Sequence, residues 1–288
     1  TVAARVLGDC CSIVCSSKRS GTHQYRKPHC NKKMPDFDPP SRNRPRSEPK
    51  FTLAQADDIR VRLARNPLPK PVQANWDEAE RVNGVYSSNA IEGSTLTLGE
   101  TEAVLRGATV PGKELHEHFA AVNLNLAWTK MDDWAKGPIG ERLLLDIHQI
   151  LLARINDDQA GRYRTVRVRI VGSEHIAPNP ASVPEKMETA FAAYSELRGR
   201  HPIEQAADLH ADIVTVHPFS DGNGRSARLI QNIALIKAGF WPINIPVTER
   251  ARYIEATYQS NAGNTVPYRD YIVEKVVTSG LDRLAMVD

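Results

Sequence analysis

"HPFSDGNGRSAR", residues 217–228, places a histidine, an aspartate, an asparagine, two glycines and two arginines within twelve positions. Apolar sequence with helical spacing flanks it on both sides, "IEQAADLHADIVTV" (203–216) before and "RSARLIQNIALIKAGF" (225–240) after. In the first helix Ile203, Ala206, Ala207, Ile213 and Val214 form the apolar side. Pro218 disfavours helical geometry in the residue before it, so the helix should stop at His217 and aim that side chain into a loop. The loop "SDGNG" (220–224) is rich in residues that tolerate positive φ, and a second helix should begin near Arg225. A helix–loop–helix unit at the centre of an all-α fold is the reading.

The same twelve residues carry chemistry. A helix N-terminus flanked by glycines presents unpaired backbone N–H groups to an anion, and phosphate is the natural guest. Arg225 and Arg228 lie three apart on one helix face and can reach the same anion. Asp221 offers a hard oxygen suited to Mg²⁺ bridging phosphate oxygens. His217 has the character of a general base beside a bound polyphosphate. Singly, each feature is ordinary: a histidine before proline is usually structural, D-G-N-G is usually a turn, and two helix arginines are usually solvated. Their concentration points to phosphate-transfer chemistry.

Outward from this stretch, 288 residues suffice for a sizeable core in one large domain or two smaller ones. With 41% hydrophobic and 25% charged residues the composition is that of a globular protein. The longest apolar runs, such as "LLLDIHQILLARI" (143–155), are short and carry charges, so no membrane span is expected. Net charge is unevenly spread. Residues 1–50 hold 11 Lys+Arg against 4 Asp+Glu, and the remainder 26 against 30. A mildly acidic body argues against a large nucleic-acid face. Cys10, Cys11, Cys15 and Cys30 all lie in the basic head, where their spacing with His23 and His29 matches no zinc pattern well. A cysteine-free body fits a reducing, cytoplasmic compartment. No methionine precedes Met34, and no signal-peptide layout is present; residues 1–33 read as an upstream extension, with a basic targeting arm as the alternative. "DFDPPSRNRPRSEPK" (36–50) reads as a disordered linker.

Beyond residue 51 the pattern is helical nearly throughout. Expected helices are 53–66, 76–91 closed by Gly93, one from the capping box "TLGE" (97–100) to about Gly107, and a long one over 112–135. Others are 139–155, 184–198, 202–216, 225–238 and 266–286. One stretch departs: "YRTVRVRIV" (163–171) alternates basic and β-branched residues, a strand signal, with "GSEH" turning it and "IAPNP" returning as a short hairpin. The expected organisation is a basic head and linker over 1–50, N-terminal helices over 51–110 and a core over 111–288.

"HPFSDGNGRSAR" resembles the signature of the Fic family, H-x-F-x-[D/E]-G-N-G-R-x-x-R, at every defined position. The resemblance extends more loosely over about residues 75–280. It implies an all-α domain with a β-hairpin flap that transfers AMP from ATP to a Ser, Thr or Tyr hydroxyl of a protein. It implies that His217 takes the proton from the attacking hydroxyl, that Phe219 anchors the loop, and that Asp221 binds Mg²⁺ (or Mn²⁺) at the phosphates. Gly222, Asn223 and Gly224 would form the anion hole, Arg225 would hold the β-phosphate side and Arg228 would face the γ-phosphate. Ser226 and Ala227 complete that ATP-binding run. The intact "GNGR" disfavours the phosphate-transferring toxin branch. "VGSEHIAPNP" resembles the flap over the nucleotide, with Val171, Gly172, Ser173 and Glu174 on the nucleotide side and residues 165–178 docking the target protein by strand addition. "RARYIEATYQSNAGN" resembles the adenine-contacting segment, with Tyr253 and Asn261 at the matching positions. Dimerisation is common in the family, so a homodimer is allowed.

"SSNAIEG" (87–93) resembles the family's inhibitory motif, [S/T]-x-x-x-E-[G/N], with Ser88, Glu92 and Gly93 at its defined positions. Ser88 and Glu92 sit at i,i+4 on a helix that Gly93 ends. The resemblance implies that Glu92 occupies Arg228, in a bidentate charge-assisted contact, and so misaligns ATP. A self-inhibited adenylyltransferase is the leading reading. The same residues would serve an enzyme that removes AMP from a modified protein, and a catalytically silent nucleotide-binding module is the reading from another class.

Overall fold

The computed structural model describes residues 50–170, 175–196 and 199–287. The basic head and linker expected over 1–50 lie outside the described residues, save residue 50, as do Val171, Gly172, Ser173 and Glu174. Eleven α-helices are described: α1 (Leu53–Arg65), α2 (Lys70–Ile91), α3 (Leu98–Leu105), α4 (Leu115–Trp128), α5 (Met131–Lys136), α6 (Glu141–Leu152), α7 (Val183–Glu196), α8 (Pro202–Val216), α9 (Asn223–Lys237), α10 (Arg250–Asn261) and α11 (Val266–Leu284). None is long and apolar enough to cross a membrane.

The central helix is α9. Ala227, Leu229, Ile230, Ile233, Ala234 and Leu235 are all buried, so its apolar surface runs nearly all the way round, as in a helix enclosed by others. It packs against α8, α5, α6, α4 and α2. Helix α8 starts where Pro202 occupies the first turn and the His201 ring accepts from the Ile203 N–H. It lays Ile203, Ala206, Ala207 and Ile213 into the core. Helix α11 then covers α8 and in turn receives α1 and α10. Helix α2 lies against α4 and α3 and touches α9 near its own C-terminal end. The expected capping box opens α3, with Thr97 Oγ1 accepting from the Glu100 N–H and the Glu100 carboxylate from the Thr97 N–H.

Two expectations are corrected. The long helix over 112–135 is two helices, because the chain caps at Thr129, whose hydroxyl donates to the Leu126 carbonyl, and restarts at Met131. The β-hairpin is not formed: among the described residues there is no strand. Period-two alternation makes a ribbon only where a partner row of backbone groups exists, and two lone strands are marginal in water. Here the segment is fixed through one side chain instead. Arg164 is buried, and its guanidinium donates to the carbonyls of Val166, Pro178 and His217.

One close approach involves Gly280 on α11. A Cβ there would overlap the Trp241 ring and lie 2.7 Å from Ile59 Cγ2 of α1. Trp241 cannot yield freely, since it is buried and its Nε1–H donates to the Val276 carbonyl at 3.1 Å. Gly280→Ala, which in an open helix would gain about 1 kcal/mol of propensity, is therefore expected to lower unfolding free energy by about 1–3 kcal/mol through overpacking. Urea unfolding followed by circular dichroism measures it, and a gain in stability would contradict the close crossing.

Candidate active site

The loop between α8 and α9 has backbone geometry that needs support. His217 ends α8 at φ 51, ψ 59, a left-handed conformation uncommon outside glycine. Such a residue costs on the order of 1–3 kcal/mol and persists only where its surroundings hold it. Arg164 supplies two contacts: its Nε donates to the His217 carbonyl (2.8 Å) and its backbone N–H to that of Pro218 (2.9 Å). Asn223 supplies two more, its Oδ1 accepting from the Phe219 N–H (2.8 Å) and its Nδ2 donating to the Phe219 carbonyl (2.9 Å). The Phe219 ring is fully buried and stacks on His148 of α6, with centroids 3.6 Å apart and planes 3° from parallel. His148 Nδ1 accepts from the Gly161 N–H, so its proton lies on Nε2, which donates to the Asp221 carbonyl at 3.0 Å. At Gly222 (φ 78) a Cβ would lie 2.9 Å from Leu152 Cδ2, so glycine meets both the conformation and the close approach to α6.

The loop delivers a donor array. The Ser226 N–H is bonded to the Gly222 carbonyl as the helical ladder begins, which leaves the N–H groups of Asn223, Gly224 and Arg225 at the positive end of α9. Arg225 Nη2 donates to Asp221 Oδ2 at 3.0 Å, and Arg225 Nε is buried with no partner among the described residues. The Asp221 side chain is 63% exposed. One open carboxylate beside an arginine and a helix N-terminus fits a divalent cation whose shell is completed by phosphate oxygens and water. No cluster of three His, Cys, Asp or Glu among the described residues forms a cage of its own. Burial, with the Arg164 charge adding, pushes His217 from 6.5 down to about 4. The ring is therefore neutral at pH 7 and able to accept a proton.

Glu92 enters this site from α2. The helix ends at Ile91, Glu92 caps it, and Gly93 (φ 102) turns the chain away. Glu92 Oε1 accepts from Arg228 Nη2 at 2.8 Å. A Cβ on Gly224 would collide with that carboxylate oxygen, so the glycine is what admits it. The contact is single and not bidentate as expected, and three of the other four N–H groups of Arg228 are engaged elsewhere. Nε donates to Ser88 Oγ (2.9 Å), Nη2 also to the Ser88 carbonyl (2.9 Å), and Nη1 to the Tyr253 hydroxyl (3.2 Å). Burial opposes the charge of Arg228, and Tyr253 and Glu92 more than offset it, so the guanidinium stays protonated. Asn89, Glu92, His116, Asp221 and Arg225 line the cleft beside this pair.

The remaining expected residues are placed less uniformly. Ser226 and Ala227 are completely buried, backbone as well as side chain. Tyr253, matched to an adenine contact, turns inward and is 2% exposed; its neighbour Ile254 is the outward residue, at 39%. Asn261 accepts from Thr215 Oγ1 at 2.6 Å, which brings the end of α10 beside the end of α8. Sequence reasoning missed His148, Arg164 and His210, all buried. A lone histidine in an apolar helix gives little signal, and Arg164 looked like one more outward residue of an alternating strand.

His148 and His217 are both held neutral at about 4, chiefly by burial, against 6.5 in the unfolded chain. Lowered pKa values mean the unfolded chain binds more protons, so their contribution is complete above about pH 6.5 and is lost as pH falls toward 4. The size is on the order of 3 kcal/mol per histidine. Unfolding free energy measured at steps between pH 7 and 4 is expected to fall, and His148→Gln, which cannot protonate, should flatten that fall. An unchanged slope in the variant would mean that His148 titrates normally.

Comparison with known proteins fits this geometry. Residues 138–235 match the sequence model of the Fic/DOC family. Protein adenylyltransferase Fic of Nematostella vectensis is 36% identical over 195 residues, spanning 65% of this chain and 45% of that protein. Protein adenylyltransferase fic-1 of Caenorhabditis elegans is 32% identical over 195 residues, spanning 66% and 38%. The match thus spans less than half the length of these relatives. A solved structure of Fic-1 from C. elegans superposes with a TM-score of 0.73 at 29% identity, covering 81% of this chain and 71% of that one. A Fic-domain signaling protein from Bacteroides thetaiotaomicron, at 23% identity, shares the fold with a TM-score of 0.75, over 81% and 96%. A complete loop signature on the expected helix pair, inside a fold shared with Fic proteins, identifies residues 138–235 as a Fic/DOC-family domain.

Proposed function

We propose that the protein is a protein adenylyltransferase held in a low-activity state by Glu92. The observation that carries the reading is that Glu92 reaches past Gly224 to Arg228, one turn from the α9 N-terminus. A carboxylate sits where a phosphate would be expected. On this reading the core over 111–288 holds the chemistry, and the helices over 51–110 bring the inhibitory residue to it.

In the reaction, ATP lies with its phosphates at the Asn223, Gly224 and Arg225 N–H groups, and Arg225 and Arg228 neutralise the chain. The target hydroxyl oxygen attacks the α-phosphorus while its proton passes to neutral His217. The bond from that phosphorus to the bridging oxygen breaks and pyrophosphate leaves, so AMP ends on the hydroxyl. Asp221 would hold a divalent cation, which supplies charge neutralisation on the departing phosphates. Buried backbone donors aimed at developing charge need no reorganisation during the step. Residues 165–178 would dock the target. Exposed Val166 and Ile176, with backbone groups engaged in no strand among the described residues, support addition of a target strand there. The cysteine-free body supports a reducing compartment such as the cytoplasm.

Transfer of label from α-³²P-ATP with Mg²⁺ tests the reading. Wild type should label weakly, Glu92→Gly at least roughly 100-fold faster, since a misplacement of about 1 Å costs on that order, and His217→Ala not at all. ATP that binds without transfer in Glu92→Gly would overturn it. The pH profile gives a separate check. With His217 near 4, the base is already deprotonated across neutral pH, so kcat/KM of Glu92→Gly should be flat on its acid side from about pH 8 to 6. A limb near 6.5 would mean that His217 is not depressed by its burial or that another group takes the proton.

A further inference from the structure

Arg228 sits at the end of a buried polar chain that the proposed reaction does not itself use. Its Nη1 donates to the Tyr253 hydroxyl at 3.2 Å, and that hydroxyl lies 3.0 Å from His210 Nε2. His210 is completely buried. Its ring stacks on Tyr268, with centroids 4.7 Å apart, and the Tyr268 hydroxyl donates to Gln231 Oε1 at 2.7 Å. Donor and acceptor rules leave one consistent orientation. A guanidinium has only N–H groups to offer, so Tyr253 Oη must accept from Nη1. The single phenolic proton must then go to His210 Nε2, which is therefore an unprotonated acceptor. The ring proton is on Nδ1, an atom with no partner among the described residues. Full burial and the nearby Arg228 charge both push His210 well below its ordinary range, in keeping with this tautomer.

We infer that His210 and Tyr253 are positioning residues that fix the Arg228 guanidinium, so that Nη2 can exchange the Glu92 carboxylate for the terminal phosphate of ATP without the arginine moving. This rests on the adenylyltransferase reading. Without His210 the phenolic O–H is free to rotate its proton toward Nη1, replacing an acceptor by a clash of two donors. Without the Tyr253 hydroxyl, Nη1 is left buried and unpaired, and the arginine is drawn off its site toward other acceptors. Tyr253 so placed contacts the base of the nucleotide no more than His210 does.

The test uses the full chain carrying Glu92→Gly, with ATP and ADP binding measured by calorimetry in Mg²⁺. Arg228→Ala is the reference and is expected to weaken ATP while sparing ADP, which lacks the terminal phosphate. Tyr253→Phe is expected to lower the ratio of ATP to ADP affinity roughly 10-fold, the size of one lost hydrogen bond to a charged group. His210→Leu should match it, His210→Gln should recover most of the ratio by returning an oxygen acceptor, and the double variant should go no lower than either single. If His210→Leu does not fold, Tyr253→Phe and His210→Gln carry the test. Equal losses for ATP and ADP in Tyr253→Phe would place the phenol at the base and overturn the inference, as would an unchanged ratio. A ratio unmoved even by Arg228→Ala would instead sink the nucleotide reading of the site, and the inference with it.

Discussion

A buried cation organises this molecule. Arg228 is 7% exposed, and a guanidinium removed from water is tolerated only when its donors are matched. The matches come from three directions: Ser88 and Glu92 on α2, Tyr253 on α10, and, through Tyr253, His210 on α8. Helices distant in sequence are thus tied to one side chain of the central helix. The apolar core already fixes part of α2, since Gly84 leaves no room for a Cβ against Trp128. The guanidinium fixes it further, since a shift of one residue would take Ser88 and Glu92 off its donors together.

The loop before α9 solves a different problem by similar means. Its first residue, His217, has a strained backbone, and its last, Gly222, needs close contact with α6. Each keeps one helical backbone bond, the His217 N–H to the Ile213 carbonyl and the Gly222 carbonyl from the Ser226 N–H, and the backbone between them has no such ladder. Arg164 ties down the His217 carbonyl, Asn223 both backbone groups of Phe219, and His148 the Asp221 carbonyl. Three polar side chains from three places over-determine a short run of backbone. That rigidity lets the loop present a neutral histidine and a row of N–H groups in one geometry.

Where that design could be read in the sequence depended on whether the signal was local. Helix ends were legible, because Pro202, Thr97 and Gly93 act on their own neighbours. The helix–loop–helix unit at 217–228 was legible because its signals lie within twelve residues. The break at Thr129 had no proline or glycine to announce it. The hairpin failed because alternation describes one strand, while a ladder needs two. Tyr253 and Ile254 differ by one position, and tertiary packing, which no local pattern announces, turns the first inward and the second outward. His148, Arg164 and His210 were invisible for a related reason: each is defined by a carbonyl or hydroxyl from a remote part of the chain.

On the proposed reading, the division of labour around Arg228 has a consequence for how inhibition and activity coexist in one fold. Of the guanidinium's four hydrogen bonds to α2 and α10, three go to groups with no reason to leave: Ser88 Oγ, the Ser88 carbonyl and the Tyr253 hydroxyl. Only the fourth goes to Glu92, which sits on the helix cap beside a glycine of positive φ, with its side chain 39% exposed. The Glu92 contact is therefore the most dispensable of the set. Losing it frees one direction of one N–H group while the arginine keeps its place and its helix partners. A bidentate pair would have bound the carboxylate more firmly, but its departure would have left two donors of a buried cation unmatched. The single contact makes a weaker lock, and on the proposed reading that weakness is what lets an incoming phosphate compete for Arg228 without unsettling α2.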